Sequence, residues 1–484
     1  MLRRRGRRST RAGLAALVVL ALGLGLTGCT DDADPPAPDP TRAAPPDRLL
    51  FGVWGNDEEV AAYQAMVDTY NARSQESQVE LRSWEDREEL VDALQAGGKV
   101  PDVFLASRRD LKWLVDEGIT QPVDELLDER GTEFGDNYSR DALQAFSYDA
   151  RLQCMPYGIS PAVVFYNTEL VDFERMRNRG LPAPADENDT RWNFEEFVAA
   201  ADFATRPRKR TRGVHVDPTL SGLAPFIESG GGAVFDSETD PTSLAFASDG
   251  SREALARTLE LLRNPQLTLS EKQLQRATPQ TWFERGRLGM MIGDRSLVPV
   301  LRQVQGLDFD VMPIPTLGSY ATVGELSGLC LSQDAASTAE GADFLVHATS
   351  TESVTRVVRA GYLVPANLEV AYSEDFVQPG RLPLHSEVFT DSIRALRVPP
   401  LLDSWPELDA AVHDDIRSLV TSAPDLDLDA VTEQIDLNSQ RVLDPDFEEP
   451  TEEPTESPSE SPSESASESA SESATPSDEE STED

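Results

Sequence analysis

The residues best suited to bind a small molecule are tryptophans in loops next to predicted strands. Trp54 ends the first strand, Trp282 precedes a glycine turn, and Trp405 lies in a proline-flanked segment. An indole face stacks on the apolar face of a sugar ring, while neighbouring Asp and Asn side chains bind its hydroxyl groups. A core position explains Trp54 and Trp282 equally well, and Trp113 and Trp192 are predicted to be structural. The pattern indicates a site for a small polar solute.

No residue pattern specifies catalysis. The histidines His215, His347, His385 and His413 are isolated and lack the spacing of metal ligands. The sequence contains neither a Walker loop nor the Gly-x-Ser-x-Gly elbow of serine hydrolases. Carboxylates are abundant, but no pair stands out as a candidate for glycoside chemistry. We therefore expect a protein that is not an enzyme and that uses no metal ion or cofactor.

The N-terminus is typical of an exported protein. Arginines between Arg3 and Arg11 precede the uncharged run 14–26, which is too short and too glycine-rich to span a bilayer comfortably. The ending Leu26-Thr27-Gly28-Cys29 resembles the bacterial lipoprotein box. That resemblance implies a cleaved signal peptide, residues 1–28, and a lipidated Cys29 whose two acyl chains hold the protein on the extracytoplasmic face of the cell membrane. An ordinary secretory signal with an incidental cysteine is the alternative.

The net charge excludes some classes of partner, and the number of cysteines indicates a disulfide. The 484 residues include 86 Asp and Glu against 43 Lys and Arg, which gives a formal net charge of −43. Such acidity argues against nucleic acid or an anionic lipid surface as the principal partner.

Besides Cys29, the chain has only Cys154 and Cys330. An even pair in an oxidising compartment favours a disulfide over two buried free thiols.

Strands alternate with helices in the first part of the fold. The apolar run 48–54 precedes a helical stripe over 58–71, and 101–106 precedes a helix over 110–117. This alternation predicts a parallel α/β sheet that binds its ligand at the carboxyl ends of the strands. The proline-rich segment 29–47 is predicted to be an extended tether, and the Ser/Glu/Pro-rich segment 447–484 a disordered acidic tail.

Four segments, taken in order, resemble the family 1 extracellular solute-binding proteins, the maltodextrin-binding-like receptors of ABC importers. They are 98–104 with Gly118-Ile119 and 122–124, then 156–167, 283–290 and 361–365. The resemblance covers roughly residues 48–446 and implies two discontinuous α/β lobes that close on a ligand, joined by hinge crossings at 156–167 and near 313–324. Lobe 1 would comprise 48–158 and 316–358, and lobe 2 would comprise 159–315 and 359–446. Both cysteines would then lie in the first lobe beside the hinge.

The resemblance also implies a set of ligand-binding residues in loops at the ends of strands. By position these are Trp54, Gly55, Asn56, Asp57, Ser107, Arg108, Ser160, Asp217, Thr219, Gly293, Asp294, Arg295 and Trp405. The maltodextrin binders of the family have aromatic residues near the positions of Ala106 and of Asp294-Arg295. Because those positions are small or charged here, we expect a sugar that is smaller or more polar than maltose.

The leading hypothesis is a lipid-anchored, monomeric receptor that captures a sugar or oligosaccharide for the transmembrane subunits of an ABC permease. A receptor of the same fold for a polyamine or another cation is the first alternative, and its binding would weaken steeply with salt. An extracellular glycan-active enzyme or an interaction protein is the second alternative. It would turn over a glycan, or bind a polymer without closure of the lobes.

Overall fold

The structure is a computed structural model that describes residues 47–421 and 426–447. The predicted signal peptide, the lipidated Cys29 and nearly all of the tether and acidic tail lie outside the described residues, so these assignments stay predictions. The described residues belong to one compact unit that begins at Asp47. Within the two described ranges, no helix combines the length and the apolar character that crossing a bilayer requires.

The secondary structure alternates between strands and helices through most of the chain. The strands β1 to β12 are, in chain order, Asp47–Trp54, Ser77–Trp84, Val103–Ser107, Thr120–Gln121, Ser147–Tyr148, Arg151–Leu152, Cys154–Pro161, Val163–Asn167, Arg212–His215, Leu288–Gly293, Phe309–Met312 and Gly324–Ser332. The helices α1 to α20 are Asp57–Arg73, Arg87–Gln95, Leu111–Asp116, Asp124–Asp128, Phe134–Asn137, Arg140–Ala145, Phe173–Arg177, Phe194–Ala204, Leu220–Ser229, Asp249–Leu262, Glu271–Leu274, Pro279–Glu284, Leu297–Arg302, Thr338–Thr349, Thr351–Val358, Leu368–Ala371, Glu374–Val377, Glu387–Ser392, Trp405–Thr421 and Leu428–Leu443. Short 3₁₀ turns occupy Arg108–Asp110, Pro207–Lys209 and Ile393–Ala395.

The first sheet has the strand order β2-β1-β3-β12-β4, and β7 also pairs with β12. Strand β1 runs parallel to β2 and β3, as the alternation of strands and helices predicts. Strand β12 is antiparallel to β3, β4 and β7, which makes the sheet mixed. Helix α1 covers it with the predicted stripe, because Tyr63, Met66, Val67 and Tyr70 are all buried.

The second sheet has the order β11-β8-β10-β9 and is buried on both faces. Along β8 the side chains alternate between two apolar cores. Val163 and Phe165 belong to a first core, shared with the first sheet, whereas Val164 and Tyr166 belong to a second core. This two-sided burial explains why β8 is a continuous apolar run in the sequence.

Two crossings connect the sheets. Strand β7 of the first sheet leads through Ala162 directly into β8 of the second, and residues 313–323 return from β11 to β12. The crossings hydrogen-bond to each other, since Ala162 N donates to Val323 O at 2.8 Å and Thr322 Oγ1 donates to Ala162 O at 2.7 Å. They coincide with the two predicted hinge segments, 156–167 and 313–324.

The late part of the chain divides between the cores. Leu363, Phe376 and Phe389 pack in the first core, whereas Leu408 and Ile435 pack in the second. Because the first core also includes Phe165 and Phe309 of the second sheet, membership of that core does not mark a lobe, and the predicted bounds of the lobes stay predictions.

The predicted disulfide is confirmed. Cys154 on β7 and Cys330 on β12 are direct partners in the antiparallel register, with Cα atoms 4.3 Å apart. Both side chains are fully buried. The bridge joins a strand that enters the hinge to the strand that returns from it.

Candidate functional site

The edges of the two sheets that adjoin the crossings define an inter-lobe cleft. Trp54 and Ser107 end strands at this edge of the first sheet, where Ser160, next to the last residue of β7, pairs with Glu325 at the start of β12. On the second sheet the corresponding edge carries Gly293, whose partner in β8 is Val163, the first residue after the crossing. Because parallel strands present their following loops at one edge, these loops are placed to meet a ligand together.

One end of the cleft is built on the loop before α1. The Asn56 side chain accepts hydrogen bonds from the N–H groups of Glu58 and Glu59 at 3.0 and 3.1 Å, so its oxygen caps the helix. Gly55 has φ +145°, and a Cβ there would lie 2.5 Å from Glu59 Oε2. Only glycine therefore lets the Glu59 carboxylate fold over this loop. Asp57 is exposed in the first turn of α1.

Carboxylates from both lobes meet at this end. Burial, together with the negative charge of Asp294, raises the pKa of Glu59 from its ordinary value of 4.5 to about 7. The Tyr362 hydroxyl donates to Glu58 Oε2 at 2.7 Å, and Gln303 Nε2 lies 3.3 Å from Glu58 Oε1. The indole N–H of Trp54 is buried and has no hydrogen-bond partner among the described residues. These groups form an acidic region beside an aromatic ring.

The other end of the cleft is built on the turn after β3. Ser107 Oγ accepts a hydrogen bond from Arg109 N at 3.2 Å, which opens the 3₁₀ turn. Arg109 Nε then forms an ion pair with Glu325 Oε1 at 3.2 Å. Its guanidinium lies 5.1 Å from the ring centroid of Trp405, a cation–π contact, and 3.5 Å from Ser221 Oγ. Arg109 therefore links the first lobe to two elements of the second.

Trp405 begins α19 and is only 7% exposed. Its ring packs edge-to-face on Phe235, with centroids 5.7 Å apart, and Arg109 covers it from the first lobe. Its indole N–H has no partner among the described residues. Trp405 thus serves both the core of the second lobe and the wall of the cleft, two roles that the sequence treats as alternatives.

A cavity of about 260 Å³ lies between α9 and α19, and one of its lining residues, Ser221, contacts Arg109. Its lining combines hydroxyl, carboxylate and imidazole groups with apolar side chains: Thr219, Leu220, Ser221, Asp409, Val412, His413 and Ile416. Burial raises the pKa of Asp409, while the positive charges of Arg109 and His413 oppose that rise. Such a mixture suits a solute with hydroxyl groups and apolar faces.

Four other predicted residues lie near the cleft. Thr219 caps α9 by accepting from Gly222 N, and Asp217 is exposed and bonds His215 Nε2 at 2.9 Å. Ser160 pairs with Glu325 across β7 and β12. Asp294 accepts from Ser296 N at 2.8 Å. Among the described residues, no group of three or more His, Cys, Asp and Glu side chains could hold a metal ion.

Residues 65–383, more than half of the chain, match the family described as bacterial extracellular solute-binding protein. The chain belongs to that family. Solved structures share the two-lobed fold. An ABC substrate-binding protein from Listeria monocytogenes in complex with cycloalternan has a TM-score of 0.69 at 17% identity, covering 82% of this chain and 98% of that one. The GacH receptor of Streptomyces glaucescens, solved unliganded and with acarbose, has a TM-score of 0.66 at 14% identity and the same coverage. A cyclic alpha-maltosyl-1,6-maltose binding protein from Arthrobacter globiformis has a TM-score of 0.65 at 18% identity, covering 82% and 99%.

Two predicted ligand residues of this solute-binding protein face the interior instead. Arg108 donates to Ala145 O at 2.9 Å and to Pro399 O at 2.6 Å, and burial lowers its pKa to about 10. Arg295 is 0% exposed and donates to backbone carbonyls of segments far along the chain. Neither guanidinium is available to a solute in the cleft. The reason is that both cations bind carbonyl oxygens whose positions the sequence does not show.

Three residues of the cleft, Glu59, Arg109 and Asp409, are not among the predicted ligand-binding residues. Each lies within four positions of one that is, namely Asp57, Arg108 and Trp405. The arginine pair at 108–109 was itself a signal, since consecutive residues in a 3₁₀ turn project to different sides. For Glu59 the signal was Gly55, which leaves room for a side chain from the next helical turn.

Proposed function

We propose that this chain is a non-enzymatic receptor that captures a sugar or short oligosaccharide between its lobes and passes it to an ABC-type permease. The observation that carries the proposal is the contact of Arg109 with Trp405, Ser221 and Glu325, which brings an aromatic ring, a cation, a hydroxyl and a carboxylate from both lobes together. Aromatic faces with fixed hydrogen-bonding groups are what a sugar requires. Three solved structures of the same fold are of proteins bound to, or named for, saccharides.

The anchor is a separate part of the proposal. The sequence around Cys29 supports a lipid-modified N-terminus, and the family is extracellular, which agrees with a receptor that works beside its permease. Replacing Cys29 by Ala should release the protein from the membrane fraction into the medium. Retention of the variant in the membrane would contradict lipidation at this residue.

A cation is the second candidate ligand. Glu58, Glu59 and Asp294 gather carboxylates at one end of the cleft, next to the indole of Trp54. A polyamine would place ammonium groups on these carboxylates and its methylene chain on the ring. Its binding would weaken as salt is added, whereas that of a neutral sugar would change little.

A thermal-shift panel on the chain from residue 30 onward separates these candidates. Mono- and oligosaccharides, polyols and polyamines would be compared at low and high salt. A ligand at 100 times its dissociation constant adds about 2.7 kcal/mol to the free energy of unfolding. A rise of the melting temperature with one group of sugars, without loss of the sugar over hours, supports the receptor. A rise with polyamines alone, abolished by salt, replaces the sugar by a cation. Consumption of the sugar would contradict the non-enzymatic assignment.

A further inference from the structure

A cluster of arginines behind the cleft has no carboxylate partner. Arg295 precedes α13, Arg302 ends it, and Arg381 lies in the segment that packs against this helix. Among the described residues, no Asp or Glu forms an ion pair with any of the three. In a chain with a formal net charge of −43 this is unexpected, because acidic residues outnumber basic ones two to one.

Arg295 and Arg302, at the two ends of α13, converge on Gly361. Arg295 Nε donates to Gly361 O at 3.1 Å, and its Nη2 donates to Phe376 O at 3.0 Å. Arg302 approaches the same glycine, since a Cβ at Gly361 would lie 3.5 Å from Arg302 Nη1. Both cations therefore meet at one place between α13 and the segment 361–382.

Each of these guanidinium groups keeps a nitrogen without a partner. Nη1 of Arg295 and Nη2 of Arg302 are both buried and make no hydrogen bond with the described residues. A neutral side-chain acceptor nearby, Gln378 Oε1, is already shared, because it accepts from Arg302 Nη1 at 2.6 Å and from Arg381 Nη1 at 3.2 Å. The existing acceptors thus leave two charged donors unsatisfied.

The electrostatic balance is unfavourable without a counter-ion. Burial and, to a smaller extent, the positive charges of neighbouring arginines lower the pKa of Arg295 to about 9 and that of Arg302 to about 10. Backbone carbonyls and the rings of Phe376 and Phe389, 4.6 and 5.2 Å from the Arg295 guanidinium, supply only partial negative charge. Arg295 is fully buried and Arg302 is half-buried, and like charges placed side by side away from water are destabilising unless an opposite charge accompanies them.

We propose that Arg295 and Arg302 form a binding site for a small inorganic anion, chloride or phosphate, between α13 and the segment 361–382. The anion accepts hydrogen bonds from the two free guanidinium nitrogens and neutralises the cluster. It thereby fixes Tyr362, which follows Gly361 and bonds Glu58 in the cleft. The proposal does not depend on which solute the cleft binds.

The first test measures the melting temperature of the chain from residue 30 to residue 484 as chloride replaces gluconate at constant ionic strength. A second arm replaces gluconate by phosphate, so that the two arms identify the anion. Constant ionic strength keeps the screening of the surface charges unchanged. We expect a rise of about 1–3 °C in at least one arm. No rise in either arm would overturn the proposal.

Two variants locate the effect. Arg302→Gln removes one of the converging cations and should abolish the anion-dependent rise. Arg263→Gln is the matched control, because Arg263 also has a buried, unpartnered nitrogen and donates to Leu419 O, yet burial alone lowers its pKa. It should keep the full rise. A rise that persists in Arg302→Gln, or that disappears in both variants, would refute the assignment to this site.

If Arg302→Gln fails to fold, diffraction from crystals of the unaltered protein grown in bromide tests whether an anion lies between Arg295 and Arg302. Bromide replaces chloride and scatters anomalously. A peak within hydrogen-bond distance of both Arg295 and Arg302 in the unaltered protein is the expected result. In a crystal that shows bromide elsewhere, the absence of a peak between these two side chains would overturn a chloride site. A crystal grown in phosphate tests a phosphate site in the same way.

Discussion

Arg109 is the residue that holds the two sides of the cleft in contact. Its ion pair with Glu325 fixes it within the first lobe, and its contacts with Trp405 and Ser221 reach the second. Arg109→Gln should therefore weaken solute binding about tenfold or more, since hydrogen bonds to charged groups contribute about 1.5–3 kcal/mol. Isothermal titration with the sugar found in the thermal panel measures this.

Arg48→Gln is the control for that experiment. Arg48 lies in β1 at the opposite end of the strand from the cleft, and its ion pair with Glu80 is exposed. Its replacement should leave the affinity unchanged. Equal affinities in both variants would show that Arg109 is not a ligand contact.

Glu59 should make the stability of the protein depend on pH. Its folded-state pKa of about 7 lies above its ordinary value of 4.5, so the folded state binds the proton more tightly than the unfolded state does. The resulting stabilisation is complete below pH 4.5 and is lost as the pH rises to 7. Glu59→Gln should therefore be more stable than the unaltered protein at pH 8, by up to about 3 kcal/mol, with a difference that shrinks towards pH 4.5.

Chemical denaturation at a series of pH values tests this. Asp57→Asn is the matched control, because it removes a carboxylate from the same helical turn at an exposed position. It should show no difference of that size or pH dependence. A Glu59→Gln variant that follows the unaltered protein at every pH would contradict a buried, protonated Glu59.

At the scale of elements, the disulfide connects the two strands that carry the hinge. Cys154 and Cys330 are 176 residues apart, so the bridge closes a long loop in the unfolded chain. The double variant Cys154→Ala, Cys330→Ala should lose up to about 5 kcal/mol of unfolding free energy in the chain-entropy account. Guanidinium denaturation measures the loss, and Cys29→Ala serves as the control. A loss below about 1 kcal/mol would mean that strand pairing alone holds β7 on β12.

The elements also show which parts of the site could be predicted from the sequence. The apolar stripe of α1 and the strands β1 and β3 can be predicted from the spacing of apolar residues, because that spacing is visible over a few consecutive positions of the sequence. The side chain of Arg108 could not be placed, since it is oriented by Pro399, nearly 300 positions along the chain. Arg295 is a second case, because Phe376 and Phe389 enclose it only after the late helices pack. Packing between residues far apart in the sequence therefore orients both arginine side chains.

At the scale of the whole molecule, the paired crossings predict a change of shape on binding. Two lobes joined by short strands close by a hinge motion in which few residues change conformation. Small-angle X-ray scattering should show a smaller radius of gyration with the bound sugar than without it. A sugar that raises the melting temperature but leaves the scattering curve unchanged would contradict closure. Arg109→Gln at the same sugar concentration should stay nearer the open curve.

The order of the strands sets the order in which the protein can assemble. All four strands of the second sheet lie between residues 163 and 312, whereas the first sheet needs β1 near residue 50 and β12 at 324–332. A chain that emerges amino end first thus completes the second sheet while the first still lacks its central strand. Cys154 lacks its native partner for all of that time, because Cys330 arrives with the missing strand. The first sheet is therefore completed, and the bridge between Cys154 and Cys330 becomes possible, only when β12 joins late in folding.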